Sequence, residues 1–268
     1  MKLLIIATIT ASLTFFGAAA PAQQVNQKLA GTLLQARDAA NRAREAAEAA
    51  KLAEGPALAA ARLARVASHK AQHADAASRI KLTLAGGDRY DGQMRGDQRH
   101  GNGIAEFRDG SRYEGEWQDD FSTGSGVYFL PDGRQYQGDF RNNQAEGFGI
   151  FNLANRHRYQ GEFHHDVAEG VGIYSMPDGQ HYLGQFKADE ASGVGVYLMA
   201  DGDRFEGETW ANNRNGYGVY LFRNGDRFEG QFKDGAFDGL GVKFRKNGDI
   251  EQGLWRDNSL RETFPPEV

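Results

Sequence analysis

The spacing of apolar and polar positions divides the chain into three stretches. Residues 1–22, MKLLIIATITASLTFFGAAAPA, are almost wholly apolar behind a single Lys2. Over residues 24–82 apolar side chains recur at intervals of three and four. They fall at Leu29, Leu33, Ala36, Ala40, Ala43, Ala47 and Ala50, then at Ala60, Leu63, Ala67, Ala74 and Ala77, the stripe of a packed helix. From about residue 88 large apolar residues alternate with polar ones at period 2, which is strand geometry.

The middle stretch is dominated by Ala, Arg, Gln, Leu, Lys and Glu, the strongest helix formers. Gly55-Pro56 interrupts it, because Pro is poorly tolerated inside a helix and restricts the residue before it. Two antiparallel helices or one long kinked helix are therefore expected, the second part running from about Ala57 to Lys81. An Ala-lined seam allows close approach but buries little area per residue. Such a segment is expected to pack on the rest of the chain or to self-associate.

The third stretch is a repeat. Tyr90, Tyr113, Tyr136, Tyr159, Tyr182, Phe205 and Phe228 stand 23 residues apart. Two places later come Gly92, Gly115, Gly138, Gly161, Gly184, Gly207 and Gly230. Two further on are Met94, Trp117, Phe140, Phe163, Phe186, Thr209 and Phe232. Eleven and thirteen places after the first aromatic stand paired glycines, from Gly101 and Gly103 to Gly239 and Gly241. A second strand follows through Ile104, Val127, Ile150, Ile173, Val196, Val219 and Val242, with Tyr128, Phe151, Tyr174, Tyr197 and Tyr220 on its other face. It ends in Asp-Gly or Asn-Gly, which favours a tight hairpin turn with both central residues at positive φ.

Fixed-period self-similarity means one supersecondary unit stacked on itself. The expected fold is mainly β: an elongated single-layer antiparallel β-meander of seven to eight 23-residue hairpin repeats, preceded by the Ala-rich helical segment. At ~4.8 Å per strand it grows by ~10 Å per repeat to a length on the order of 70 Å. The glycines let the large rings lie over bare backbone. Two irregularities stand out. Thr209-Trp210 displaces the sixth ring by one place, and Asn155-Arg156 replaces a turn glycine.

Composition adds compartment and charge. A lysine, an apolar run and Ala20-Pro21-Ala22 read as a secretory signal peptide cleaved after Ala22; the rival is an uncleaved anchor. The expected location is exported, periplasmic or secreted. There is no cysteine, so the fold is held by packing without disulfides. Residues 23–82 carry 10 Lys and Arg against 5 Asp and Glu, and residues 83–268 carry 20 against 31. A basic segment thus precedes an acidic one. The expected boundaries are leader 1–22, helical segment 23–84, repeat array 85–258 and tail 259–268.

Catalytic chemistry finds no foothold in the pattern. No Gly-x-Gly opens a helix, and no Lys-Ser/Thr follows one. His157, His164, His165 and His181 cluster in sequence, but strand spacing separates most of them, and adjacent His164 and His165 are expected on opposite faces. No enzyme activity, cofactor, metal, nucleic acid or small-molecule substrate is expected. The column Tyr128, Phe151, Tyr174, Tyr197 and Tyr220 is the candidate binding surface, or else rings packed over neighbouring glycines. The acidic face of Glu114, Glu116, Glu162, Glu206, Glu208 and Glu229 is expected to be solvated.

The pattern Tyr-x-Gly-x-Trp/Phe followed by Gly-x-Gly resembles the MORN repeat (membrane occupation and recognition nexus) over about residues 88–258. His-Gly, frequent in that family before the second strand, is kept here only as His100-Gly101. The resemblance implies a non-catalytic scaffold that binds another protein or itself at or near membranes. The alternatives are phospholipid binding through the basic segment 23–82 and polysaccharide binding on the aromatic column. The net negative charge of the repeats opposes contact with anionic lipid.

Overall fold

The computed structural model describes residues 16–84 and 86–265. The leader expectation lies for the most part outside them. A single helix, α1 (Phe16–His73), is followed by a short 3-10 turn (Ala76–Ser78) and by β1 (Ile80–Thr83). Then come β2 (Arg89–Arg95), β3 (Gln98–Glu106), β4 (Arg112–Gln118), β5 (Phe121–Phe129), β6 (Gln135–Arg141) and β7 (Gln144–Asn152). The middle strands are β8 (Arg158–His164), β9 (Val167–Ser175), β10 (His181–Lys187), β11 (Glu190–Leu198) and β12 (Arg204–Trp210). The last are β13 (Asn213–Leu221), β14 (Arg227–Lys233), β15 (Ala236–Phe244), β16 (Ile250–Arg256) and β17 (Ser259–Thr263). Each strand pairs antiparallel with the next, so the seventeen form one open meander from β1 to β17.

Two boundaries move. Residues 80–83, placed with the helical segment, pair with β2, and residues 259–263, placed in the tail, pair with β16. The meander thus extends by one strand at each end.

The helix is neither two helices nor broken at Gly55-Pro56. Both residues are exposed, while Ala53 and Ala57 on either side are buried against the sheet. The carbonyl that loses its partner to Pro56 therefore faces water, where the loss is cheapest. Packing overrides the local signal. The inward stripe is wider than expected and runs Ala36, Ala39, Ala40, Ala43 through Ala64, Ala67 and Ala71. Leu63, expected inward, is exposed, as is Ala77, and Leu33 and Ala74 are half-buried.

α1 lies along the whole sheet, touching every strand from β3 to β15. Its polar contacts keep a fixed ratio to the repeat. Arg37 meets Glu229, Arg44 meets Glu206, Arg65 meets Gln137 and Gln72 meets Glu114. Steps of 7 residues along the helix accompany steps of 23 along the repeats, in opposite directions. Seven helical residues rise about 10.5 Å, and two strands span about 9.6 Å. One heptad therefore measures one repeat. Small Ala side chains between the polar rungs let the helix approach Ile150, Ile173, Val194 and Val196 closely.

The acidic face is consequently not solvated as expected. Glu114, Glu206 and Glu229 are buried beneath α1. A buried carboxylate must be paired, and each has an arginine two residues earlier in its own strand: Arg112, Arg204 and Arg227. Arg44 and Arg37 add a second partner to Glu206 and Glu229, and Ser68 and Gln72 do so for Glu114. Glu116 and Glu208 instead accept backbone N–H bonds from Ser125 and Tyr217 at 2.9 Å.

Candidate functional site

The face turned away from α1 is built by the aromatic column. Tyr113 lies against the paired glycines as expected: a Cβ at Gly126 would sit 2.4 Å from its hydroxyl. Sequence periodicity missed what the hydroxyl does. Every strand that opens a repeat slips register after its glycine, and the carbonyl at the slip accepts the tyrosine. Tyr90, Tyr113, Tyr136, Tyr159 and Tyr182 donate to the carbonyls of Gln93, Glu116, Asp139, Glu162 and Gln185 at 2.8–3.1 Å. Burial pushes all five phenols well above their usual range.

Rings of successive repeats meet edge to face. Tyr113 touches Trp117 and Phe140, Tyr136 touches Phe140 and Phe163, and Tyr159 touches Phe163 and Phe186, with centroids 4.8–5.1 Å apart. The ladder breaks at Thr209. No ring is shifted over a bulge there: Thr209 keeps the inward place and bonds Tyr182 at 3.1 Å, while Trp210 points into solvent.

The turns differ from expectation too. Asp132-Gly133 does not form a two-residue turn with both φ positive. Gly133 alone is left-handed (φ 86), closing a wider loop through its N–H to Leu130 and the Leu130 N–H to Arg134. The two-residue turns with both φ positive sit at the other end of the hairpins, at Asp119-Asp120, Asn142-Asn143 and His165-Asp166. Their second residues recur every 23 residues, a signal the sequence reading passed over. Each caps the preceding repeat: Asp120, Asn143, Asp166, Asp189 and Asn212 accept from the N–H of Arg99, Ser122, Ala145, Ala168 and Ala191 at 2.7–2.9 Å. In the repeat lacking the turn glycine, Asn155 and Arg156 both take positive φ.

The predicted column Tyr128, Phe151, Tyr174, Tyr197 and Tyr220 is half-buried along this same face. Tyr128 and Phe151 line one wall of a groove. Four hydroxyls are tied down: Tyr128 to Ser111, Tyr174 to His157, Tyr197 to the Asn212 carbonyl and Tyr220 to Asp203, at 2.7–2.9 Å. Beside Tyr128 and Phe151 opens a groove of about 560 Å³ whose floor is Tyr113, Trp117, Tyr136, Phe140, Ala145 and Phe163. It runs from β3 to β8, about 24 Å at ~4.8 Å per strand.

One position beside the groove varies in size from repeat to repeat. Nine places after the first aromatic stand Arg99, Ser122, Ala145, Ala168, Ala191, Arg214 and Phe237. Arg99 closes one end, its guanidinium 4.2 Å over the Trp117 ring. In the seventh repeat Phe237 stacks on Phe228 at 4.0 Å and fills the equivalent space. Ser122 and Ala145 set no large side chain over the floor between them, whose rings keep a few per cent of their surface in contact with solvent.

His164 and His165 are not on opposite faces. β8 ends at His164, and His165 opens the turn at φ 49, which swings its ring to 3.9 Å from its neighbour. No described helix is long and apolar enough to cross a membrane.

An open sheet of 23-residue hairpins, backed by a helix on one face and, among the described residues, with no element packed over its aromatic face, defines a repeat protein. The MORN repeat model matches residues 90–112, 113–133, 136–158, 159–181, 182–204, 205–227 and 228–250, and the chain belongs to that family. No curated protein matches it. Among solved structures it is similar to the TCP domain of SAS-4 (dCPAP) from Drosophila melanogaster, solved with a proline-rich motif of Ana2. That likeness has 12% identity, covers 68% of this chain and 94% of that one, and has a TM-score of 0.38. The wild-type TCP10 domain of CPAP from Danio rerio is similar at 11% identity, 66% and 73% coverage, and TM-score 0.28. The G-box domain of the microcephaly protein CPAP gives 13%, 66% and 99%, and 0.30. At these scores the likeness carries no argument about this chain.

Proposed function

We propose that this chain is a non-catalytic scaffold of the cell envelope that holds an extended, largely apolar segment of a partner protein in the groove of its aromatic face. The observation that carries the reading is the contrast along one repeat position. Ser122 and Ala145 set no ring over the apolar floor, where Phe237 sets one in the seventh repeat, five and four repeats on. An open apolar groove with a few fixed polar groups at its rim is the ordinary form of a recognition site. About 24 Å accommodates roughly seven extended residues. The placement in the envelope rests on the leader-like first 22 residues. The hydroxyls of the wall are already bonded within the protein, leaving a largely apolar surface that favours a peptide over a sugar.

Ala145→Phe, which copies the seventh repeat, tests the reading. Peptides selected from a displayed library on the native chain should fail to bind this variant while its melting temperature stays within a few degrees. Peptides that bind both equally, or a library that yields none, would remove the groove from the account.

A further inference from the structure

We infer that Glu146, His164 and His165 form a surface site for a divalent cation of the zinc or copper type. Their ligating atoms all lie within 4.8 Å of one another. Glu146 Oε1 and His164 Nδ1 are 3.1 Å apart. Two ligands at about 2.0–2.1 Å from a tetrahedral ion stand about 3.3 Å apart, so this pair is already at a coordination edge. His165 needs only a turn of its exposed ring to supply the third atom.

The carboxylate is held for the purpose. Glu146 Oε2 accepts the backbone N–H of His165 at 3.2 Å, which aims Oε1 outward as a monodentate ligand with its outer partner in place. Ser192 and Asn215 accept the same turn N–H in later repeats, so this bond belongs to the fold. What is particular to this repeat is the pair of imidazoles. The places of His164 and His165 are filled elsewhere by Arg141 and Asn142, Lys187 and Ala188, or Lys233 and Asp234.

Arg141 also pairs with Glu146 Oε1. Its side chain is 65% exposed, so it can swing into water as a cation arrives. Glu162 and Glu169 line the adjoining hollow and add negative charge. Two imidazole nitrogens and one carboxylate oxygen, with the remaining positions open to water, suit zinc and copper better than calcium or magnesium.

The test is calorimetric titration of the full chain, carrying no affinity tag, with Zn²⁺ and separately with Cu²⁺. One ion per chain should bind saturably. His164→Gln and His165→Gln should each weaken it about tenfold or more, and Arg141→Gln should leave it intact or tighten it. The stacked pair His69 and His73 on α1 is the competing site, so His69→Gln with His73→Gln should keep the tighter binding. In the copper complex, electron paramagnetic resonance should show nitrogen coupling that His164→Gln reduces. Absence of saturable binding, or binding lost with His69 and His73 but unchanged without His164 and His165, would overturn the assignment. Both histidines are exposed, and circular dichroism of each variant confirms that it is folded.

Discussion

At the scale of single residues, the tyrosine and its glycines act as one unit. A Cβ at Gly149 would lie 2.5 Å from the Tyr136 ring. Gly149→Ala should cost about 1–3 kcal/mol by overpacking and should cost less in a Tyr136→Ala background, a coupling of about 0.5–3 kcal/mol in a double-mutant cycle of chemical unfolding. Equal costs in both backgrounds would contradict bare-backbone packing. The same tyrosines set an alkaline limit. Folding raises their pKa above the usual ~10, so the unfolded chain releases protons first. Stability should be intact below about pH 10 and should fall as pH rises further. Tyrosinate absorbance of this set should appear together with loss of β-sheet circular dichroism, not before it. The ring-over-glycine packing was legible in the sequence because both partners are fixed residue types at a fixed period. The hydroxyl bond to the slipped carbonyl was not, because period-2 alternation carries no sign of a register slip.

At the scale of elements, the unexpected result is the helix. Local propensity placed a break at Gly55-Pro56, and the continuous face of alanines against the sheet removed it. Ala57 is fully buried and Ala59 exposed. Ala57→Leu should therefore lower stability by about 1–3 kcal/mol, whereas Ala59→Leu should change it by no more than about 0.5 kcal/mol, both read from thermal melts. Two residues inserted between Glu54 and Gly55 turn the following face by about 200° and should detach half of the helix, visible as rapid hydrogen exchange on one side of the insertion. The strands were legible in order and in face, but the second strand of each repeat starts three residues before the glycine pair at which it was expected to begin. The acidic face was misjudged, since nothing within one repeat announces that a helix from outside it will cover Glu114, Glu206 and Glu229. The column of Arg112, Arg204 and Arg227 two places earlier was the available hint. His164 and His165 were misjudged because strand alternation was extended one residue past the strand's end, into a turn.

At the scale of the molecule, the chain is a sheet with one face closed by its own helix and, among the described residues, the other face left open. The charge imbalance read in the sequence serves this arrangement: five arginines of the basic segment, Arg37, Arg42, Arg44, Arg65 and Arg79, bond side chains of the sheet. The protein should accordingly remain at the bottom of a flotation gradient with anionic vesicles at physiological salt. Salt-sensitive flotation would restore the phospholipid reading. The periodicity of 23 made the length and openness of the sheet legible, yet the matching period of 7 passed unseen. An alanine stripe at intervals of three and four looks alike whether it faces a partner helix, a second copy or a sheet.

The claim that one helical heptad measures one repeat is tested most directly by moving the partner of a single arginine. In the native chain Arg44→Ala and Glu206→Gln should couple by about 0.5–3 kcal/mol in a double-mutant cycle, and Arg44→Ala and Glu229→Gln should not. With seven helical residues inserted between Glu54 and Gly55, Arg44 advances by one repeat. The coupling should then pass from Glu206 to Glu229. Coupling that stays with Glu206, or that vanishes from both, would contradict a helix registered on the sheet.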